Sequence, residues 1–110
     1  MTRAPLPLEE LFERAAPDLI RALPHETFIA FRLDGKDWAL HRTGNGDVQV
    51  SRRHLPTWDC HVTCSVDDFR DLVDGSLDAR RGFMEGRLRV EGDVGLVLDM
   101  LRAIRRGQSA

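Results

Sequence analysis

The segment from Gly75 to Asp93, GSLDARRGFMEGRLRVEGD, constrains this chain more than any other. Four glycines, Gly75, Gly82, Gly86 and Gly92, surround one aromatic–methionine pair, Phe83-Met84, and a short alternating strand through Leu88 and Val90. Gly75 is placed to end a preceding helix at C′. Asp78 is placed to cap a further turn or two carrying Phe83 and Met84. A last helix starts near Asp93 and runs to about Arg106. At 100° per residue, its Val94, Val97, Leu98, Leu101 and Ile104 fall within about 120° of one another, an ordinary core stripe. Leu96 and Met100 widen the apolar arc to about 200°, more than one sheet covers, so a second element has to shield the rest.

Upstream, Leu8, Leu11, Phe12 and Ala15 stand at helical spacing after Pro7. Pro17 is expected to break or restart that helix, with a second short turn ended by Pro24. Together these make an N-terminal helical segment over 8–23. From Thr27 the period changes to two. Ile29, Phe31 and Leu33 alternate with Ala30 and Arg32, Asp34-Gly35 signals a tight hairpin, and Trp38 and Leu40 alternate on the return. Gly44-Asn45-Gly46-Asp47 turns the chain again, and Val48 and Val50 open a third strand. A loop marked by Pro56 leads to a fourth strand through Cys60, Val62 and Cys64. The pattern predicts a four-strand meander region over 27–64. Ser65 then caps a helix whose Phe69, Leu72 and Val73 form its apolar side, with Asp67 and Asp68 at its positive end. That helix, the glycine-rich segment and the last helix occupy 66–106.

With 110 residues, 42% hydrophobic and 31% charged, the chain fits one globular domain, 1–110, and neither a disordered nor a fibrous class. No apolar run approaches the ~18 residues of a membrane span. Charges in the first residues leave no apolar core for a secretory signal, and the C-terminal Gly107-Gln108-Ser109-Ala110 is no peroxisomal address. Cytoplasm is the expected location. The net charge of −2 divides into an acidic excess of five through Ala79 and a basic excess of three from Arg80 onward. A basic end suits transient contact with an anionic membrane, although a solvated helix face is the simpler reading. Without interleaved aromatics it does not suit nucleic acid.

Chemistry finds little purchase. Cys60 and Cys64, on one strand about 13 Å apart, are beyond disulfide reach and read as small buried hydrophobes. His25, His41, His54 and His61 lack metal-ligand spacing. No nucleophile elbow or phosphate-binding loop occurs, and the pairs Glu9-Glu10 and Asp67-Asp68 are helix-start charges. No catalytic residue, metal or cofactor is expected.

Strand Asp59–Cys64, helix Val66–Val73 and Gly75, followed by Phe83-Met84-x-Gly86-x-Leu88-x-Val90-x-Gly92-Asp93, resemble the sterol carrier protein 2 (SCP2) lipid-binding domain. The resemblance spans about Leu8 to Arg106. Gly82 stands where that family usually has alanine, at a cost of roughly 1 kcal/mol within a helix, which suggests a looser turn before Phe83. Arg87 stands for the usual lysine and keeps the charge. The resemblance implies an α+β fold: a five-stranded mixed, mainly antiparallel sheet covered on one face by helices and enclosing an apolar tunnel. It implies non-covalent binding of a fatty acid, acyl-CoA, sterol-like or isoprenoid quinone lipid, and no reaction.

The candidate lipid-binding residues are Phe31, Trp38, Leu40 and Val62 on the strands, Phe69, Phe83 and Met84 in the middle helices, and Val97, Met100 and Leu101 on the last helix. Ordinary core packing competes with this reading at each of them. A dry tunnel made by truncation costs about 24 cal/mol per Å3, so an alkyl chain would supply missing contacts and stabilise the fold by mass action. One bacterial variant of the idea resembles accessory proteins of ubiquinone synthesis. Two alternatives stand beside it. One is a ligand-free interaction module or homodimer joined through Leu96 and Met100. The other is an accessory domain of a larger enzyme, against which the chain's length weighs.

Overall fold

The computed structural model describes residues 7–24 and 26–109; the expectations that fall on residues 1–6, His25 and Ala110 lie outside them. In chain order the elements are α1 (Leu8–Ala22), β1 (Thr27–Leu33), β2 (Lys36–Arg42), β3 (Val48–Ser51), β4 (Cys60–Cys64), α2 (Val66–Asp74), α3 (Ala79–Met84), β5 (Arg89–Gly92) and α4 (Val94–Ser109). They form an α+β fold around one mixed, mainly antiparallel sheet of strand order β3-β2-β1-β4-β5.

Local chemistry sets most boundaries. Asp34 and Gly35 take φ of 53° and 77°, the positive values that a two-residue hairpin demands. The Ser65 side chain accepts a hydrogen bond from the Asp68 amide at 3.0 Å and starts α2, and Gly75 ends it at φ 90°. Asp78 does the same for α3 through the Arg81 amide at 3.1 Å.

Two expectations need correction. Helix α1 runs unbroken through Pro17. A proline inside a helix costs about 3 kcal/mol. Leu11, Phe12, Ala15 and Leu19, on both sides of Pro17, are almost completely buried. Several apolar side chains at roughly 1.5–3 kcal/mol each outweigh the proline. Pro17 itself is exposed, so water can serve the carbonyl that its missing N–H leaves free.

The second correction concerns the strands over 27–64, which are not a four-strand meander. β1, β2 and β3 are antiparallel neighbours, but β4 returns to the other side of β1 and pairs with it in parallel, Phe31 opposite Val62. The chain reaches that position by crossing the outer face of the sheet. There Ala30 and Ala39 are small enough to admit Leu55 of the crossing segment, with Phe28 and Trp58 packed alongside. Asp59 anchors the end of the crossing: its amide donates to the Phe28 carbonyl at 2.8 Å, and its carboxylate accepts from the Phe28 amide at 2.7 Å.

The inner face carries three apolar rows of side chains across the strands. Val50, Leu40, Ile29 and Cys60 form one; Trp38, Phe31, Val62 and Val90 form the next; Leu33 and Cys64 begin the third. Helices α1, α2 and α4 close over them, with α1 lying along α4. That contact shields the wide apolar arc of α4. Met100 is fully buried and Leu96 packs against the core, so the homodimer face expected from these two residues is occupied from within.

At the edge of this core Arg42 is buried, in the row of Thr27 and Val48. Its guanidinium donates to the Ile20 carbonyl at 3.0 Å and the Thr43 carbonyl at 2.6 Å. A cation on the last turn of α1 meets the negative end of the helix dipole and satisfies a terminal carbonyl, tying α1 to the sheet.

Candidate functional site

The glycine-rich segment builds the site. Gly82 is buried in α3, where an added Cβ would meet Leu77 Cδ2 at 3.2 Å and Leu88 Cβ at 3.7 Å. Its carbonyl accepts from the amides of Arg87 at 2.9 Å and Leu88 at 3.2 Å. The turn before Phe83 is therefore held close to its neighbours, contrary to the looseness expected of a helical glycine. Arg87 secures the same turn from outside through the Asp68 carboxylate at the start of α2, with Nε at 3.1 Å. That hydrogen bond and the guanidinium charge hold the Asp68 carboxyl below the usual carboxylate range. After β5, the Asp93 side chain accepts from the Leu96 amide at 3.3 Å and α4 begins.

Between α3, β5 and α4 lies an open apolar groove of about 510 Å3. Ala79 and Phe83 line it from α3, Leu88 and Val90 from β5 and its approach, and Val94, Val97 and Leu98 from α4. Asp78, Arg80 and Arg102 supply its charged borders. Phe83 is 54% exposed, Val94 50% and Leu98 40%, large apolar side chains left facing water around a concavity.

Among the sequence candidates, Phe83 and Val97 line this groove. Phe31, Trp38, Leu40, Val62, Phe69, Met100 and Leu101 are buried in the core instead, and Met84 stands 78% exposed beside Phe83. The rings of Phe12, Phe31 and Phe69 fill the interior in mutual contact, with centroids 5.5–6.0 Å apart. The cavity described here is thus a groove at the edge of the core, open on one side, not an enclosed tunnel.

The cysteines and His41 sit outside this groove. Cys60 and Cys64 are free, buried thiols. Burial first, then Asp59 and Asp93 for Cys60 and Asp68 and Asp34 for Cys64, push both up to about 12, so the thiolate is scarce at neutral pH. His41 stacks on Phe28 at 4.1 Å and meets the Glu26 carboxylate at 2.9 Å. Among the described residues no cluster of three or more His, Cys, Asp or Glu could hold a metal, and no helix is long and apolar enough to cross a membrane.

Residues 8–105 match the model of the SCP-2 sterol transfer family. The chain belongs to this family. As an SCP-2 family member it is 37% identical over 72 residues to a fatty acid-binding protein of Yarrowia lipolytica. That match covers 60% of this chain and 56% of the relative, so the chain spans little more than half the length of the curated relative it resembles. Two solved structures have the same fold. The ubiquinone synthesis protein UbiJ-SCP2 superposes with a TM-score of 0.74 at 16% identity, covering 93% of this chain and 88% of its own. An inverting sec-alkylsulfatase, Pisa1 of a Pseudomonas species, superposes with a TM-score of 0.75 at 18% identity, covering 89% of this chain but only 16% of that much larger one.

Sequence reasoning on this SCP-2 member missed Ala79, Leu88, Val90, Val94 and Leu98 as groove walls. Leu88 was legible as apolar and Val94 and Leu98 as part of the core stripe of α4. Nothing in the periodicity tells which edge of a stripe stays uncovered once α1 has taken the other.

Proposed function

We propose that this protein binds a hydrophobic ligand non-covalently, with an alkyl part lying in the groove between α3, β5 and α4, and makes or breaks no bond. One observation carries the reading: Phe83, Val94 and Leu98 stay half-exposed around a concavity of about 510 Å3. That volume falls within the ~300–1,000 Å3 usual for small-molecule sites. A chain lying there would remove these side chains from water at roughly 25 cal/mol per Å2 of apolar surface. Family membership supports lipid as the ligand class, and the fatty acid-binding relative supports an acyl chain.

The test is displacement of a fluorescent fatty acid by dodecanoate. Leu98 is exposed, so Leu98→Asp should melt within a few degrees of wild type. Its affinity for dodecanoate should nevertheless fall about tenfold or more, because a carboxylate on the groove wall has to be desolvated against the alkyl chain. Unchanged affinity would remove the groove from this reading, and a wild-type protein that binds none of the lipids offered would remove lipid binding itself.

Exchange of lipid also needs a surface to collect it from. Met84 is 78% exposed beside the groove, and the residues from Arg80 onward carry the basic excess. These support contact of this end with an anionic membrane. The expected result is stronger co-sedimentation with vesicles containing phosphatidylglycerol than with pure phosphatidylcholine, lost as salt is raised. Equal sedimentation with both would remove the contact.

A further inference from the structure

The groove has charged borders that a purely apolar guest would not use. Arg80 and Arg102 both line it, one on the first turn of α3 and the other four residues beyond Leu98 on α4. The neighbouring arginines of this region are engaged elsewhere: Arg81 with Glu85 at 2.9 Å, Arg87 with Asp68, and Arg89 with Glu91 at 3.4 Å. Arg80 differs. Among the described residues its side chain makes no hydrogen bond or ion pair, and it is exposed. Among the described residues Arg102 meets Asp99 alone, at 3.9 Å, with its side chain 70% exposed. Asp78, the one acid that the described residues place on the border, caps its own helix, its carboxylate accepting from the Arg81 amide at 3.1 Å. The described border therefore offers two weakly engaged guanidinium groups against one carboxylate, a net positive charge.

We infer that Arg80 and Arg102 select a single-chain amphiphile with an anionic head, a carboxylate or a phosphate, whose tail occupies the groove. This rests on the groove reading proposed above and narrows it. A guanidinium pairs with either anion through a fork of parallel hydrogen bonds, and its methylene stem can lie along the first carbons of a tail. A neutral sterol or quinone would gain nothing from the two arginines. Each contact lies at a solvent-exposed rim, so the preference it gives is moderate.

The experiment compares three ligands of equal tail length: dodecanoate, dodecyl phosphate and 1-dodecanol. Wild type is set against the double variant Arg80→Gln/Arg102→Gln and against Arg81→Gln, which alters the charge of α3 outside the groove lining. All three arginines are exposed, and unchanged melting temperatures establish that the variants are folded. Wild type should bind at least one of the two anionic ligands about tenfold more tightly than dodecanol, and the stronger of the two identifies the head. In the double variant that preference should shrink to within about twofold while dodecanol affinity holds; in Arg81→Gln it should persist.

Equal binding of all three ligands by wild type would overturn the inference and leave the groove reading standing. So would a preference that survives in the double variant, or one that Arg81→Gln weakens as much. Failure of wild type to bind any of the three would overturn both readings together.

Discussion

Truncating Phe69 to alanine is expected to cost about 4 kcal/mol, in the middle of the range for a buried phenylalanine. Its side chain is fully buried, and its ring lies 6.0 Å from Phe12 and 5.6 Å, edge-on, from Phe31. Phe12 and Phe31 are themselves 5.5 Å apart. The three rings come from α2, α1 and β1, so one truncation loosens two helices from the central strand at once. For a domain of this size each kcal/mol is worth about 4–8 °C, which puts the expected fall in melting temperature at roughly 15–30 °C. Thermal unfolding followed by circular dichroism measures it. A fall of only a few degrees would mean that the interior tolerates a hole the size of a phenyl ring, and that the lipid-sized space lies there and not at the groove.

Gly92→Ala should be the most damaging of the glycine substitutions. Gly92 has φ 85°, a conformation that costs an L residue about 1–2 kcal/mol. An added Cβ would also overlap the Asp59 carbonyl and stand 3.1 Å from Cys60 Cα. Both obstacles are backbone, and the Asp59 carbonyl is already held by the Asp93 amide at 3.1 Å. Relief requires β5 to move away from β4, where Gly92 faces Cys60. The expected loss is about 3 kcal/mol, the conformational cost plus a typical overpacking cost.

Gly86→Ala separates the two causes. Its φ is 75°, but nothing lies within 4 Å of its missing Cβ, so only the conformational cost of about 1–2 kcal/mol applies. Equal losses at Gly86 and Gly92 in urea titrations would show that the close approach at Asp59 contributes nothing. Because Val90 lines the groove two residues before Gly92, a displaced β5 should also weaken ligand binding.

Where a feature depends on a few adjacent residues, the sequence was a sufficient guide. The Asp34-Gly35 hairpin, the Ser65 and Asp78 caps and the helix end at Gly75 all form as their side chains and φ preferences require. Pro17 failed as a helix breaker because its penalty is local and fixed, whereas the burial that opposes it is spread over α1. The parallel pairing of β1 with β4 was equally out of reach. Alternation assigns Phe31 and Val62 to a face of a sheet, but it cannot say that the two strands are neighbours.

The same division holds at the site. The order of residues in 75–93 determined that a short helix, a tight turn and a short strand would follow one another, with Phe83, Leu88 and Val90 as their apolar members. Only the tertiary structure decided which of those side chains would be covered. It set α1 against α4, buried Met100 in the core, and left Val94 and Leu98 exposed along the groove that Phe83 also lines. The reason is physical. Backbone preference and capping act over a few residues and can be read along the chain, whereas burial depends on what distant segments occupy the same space.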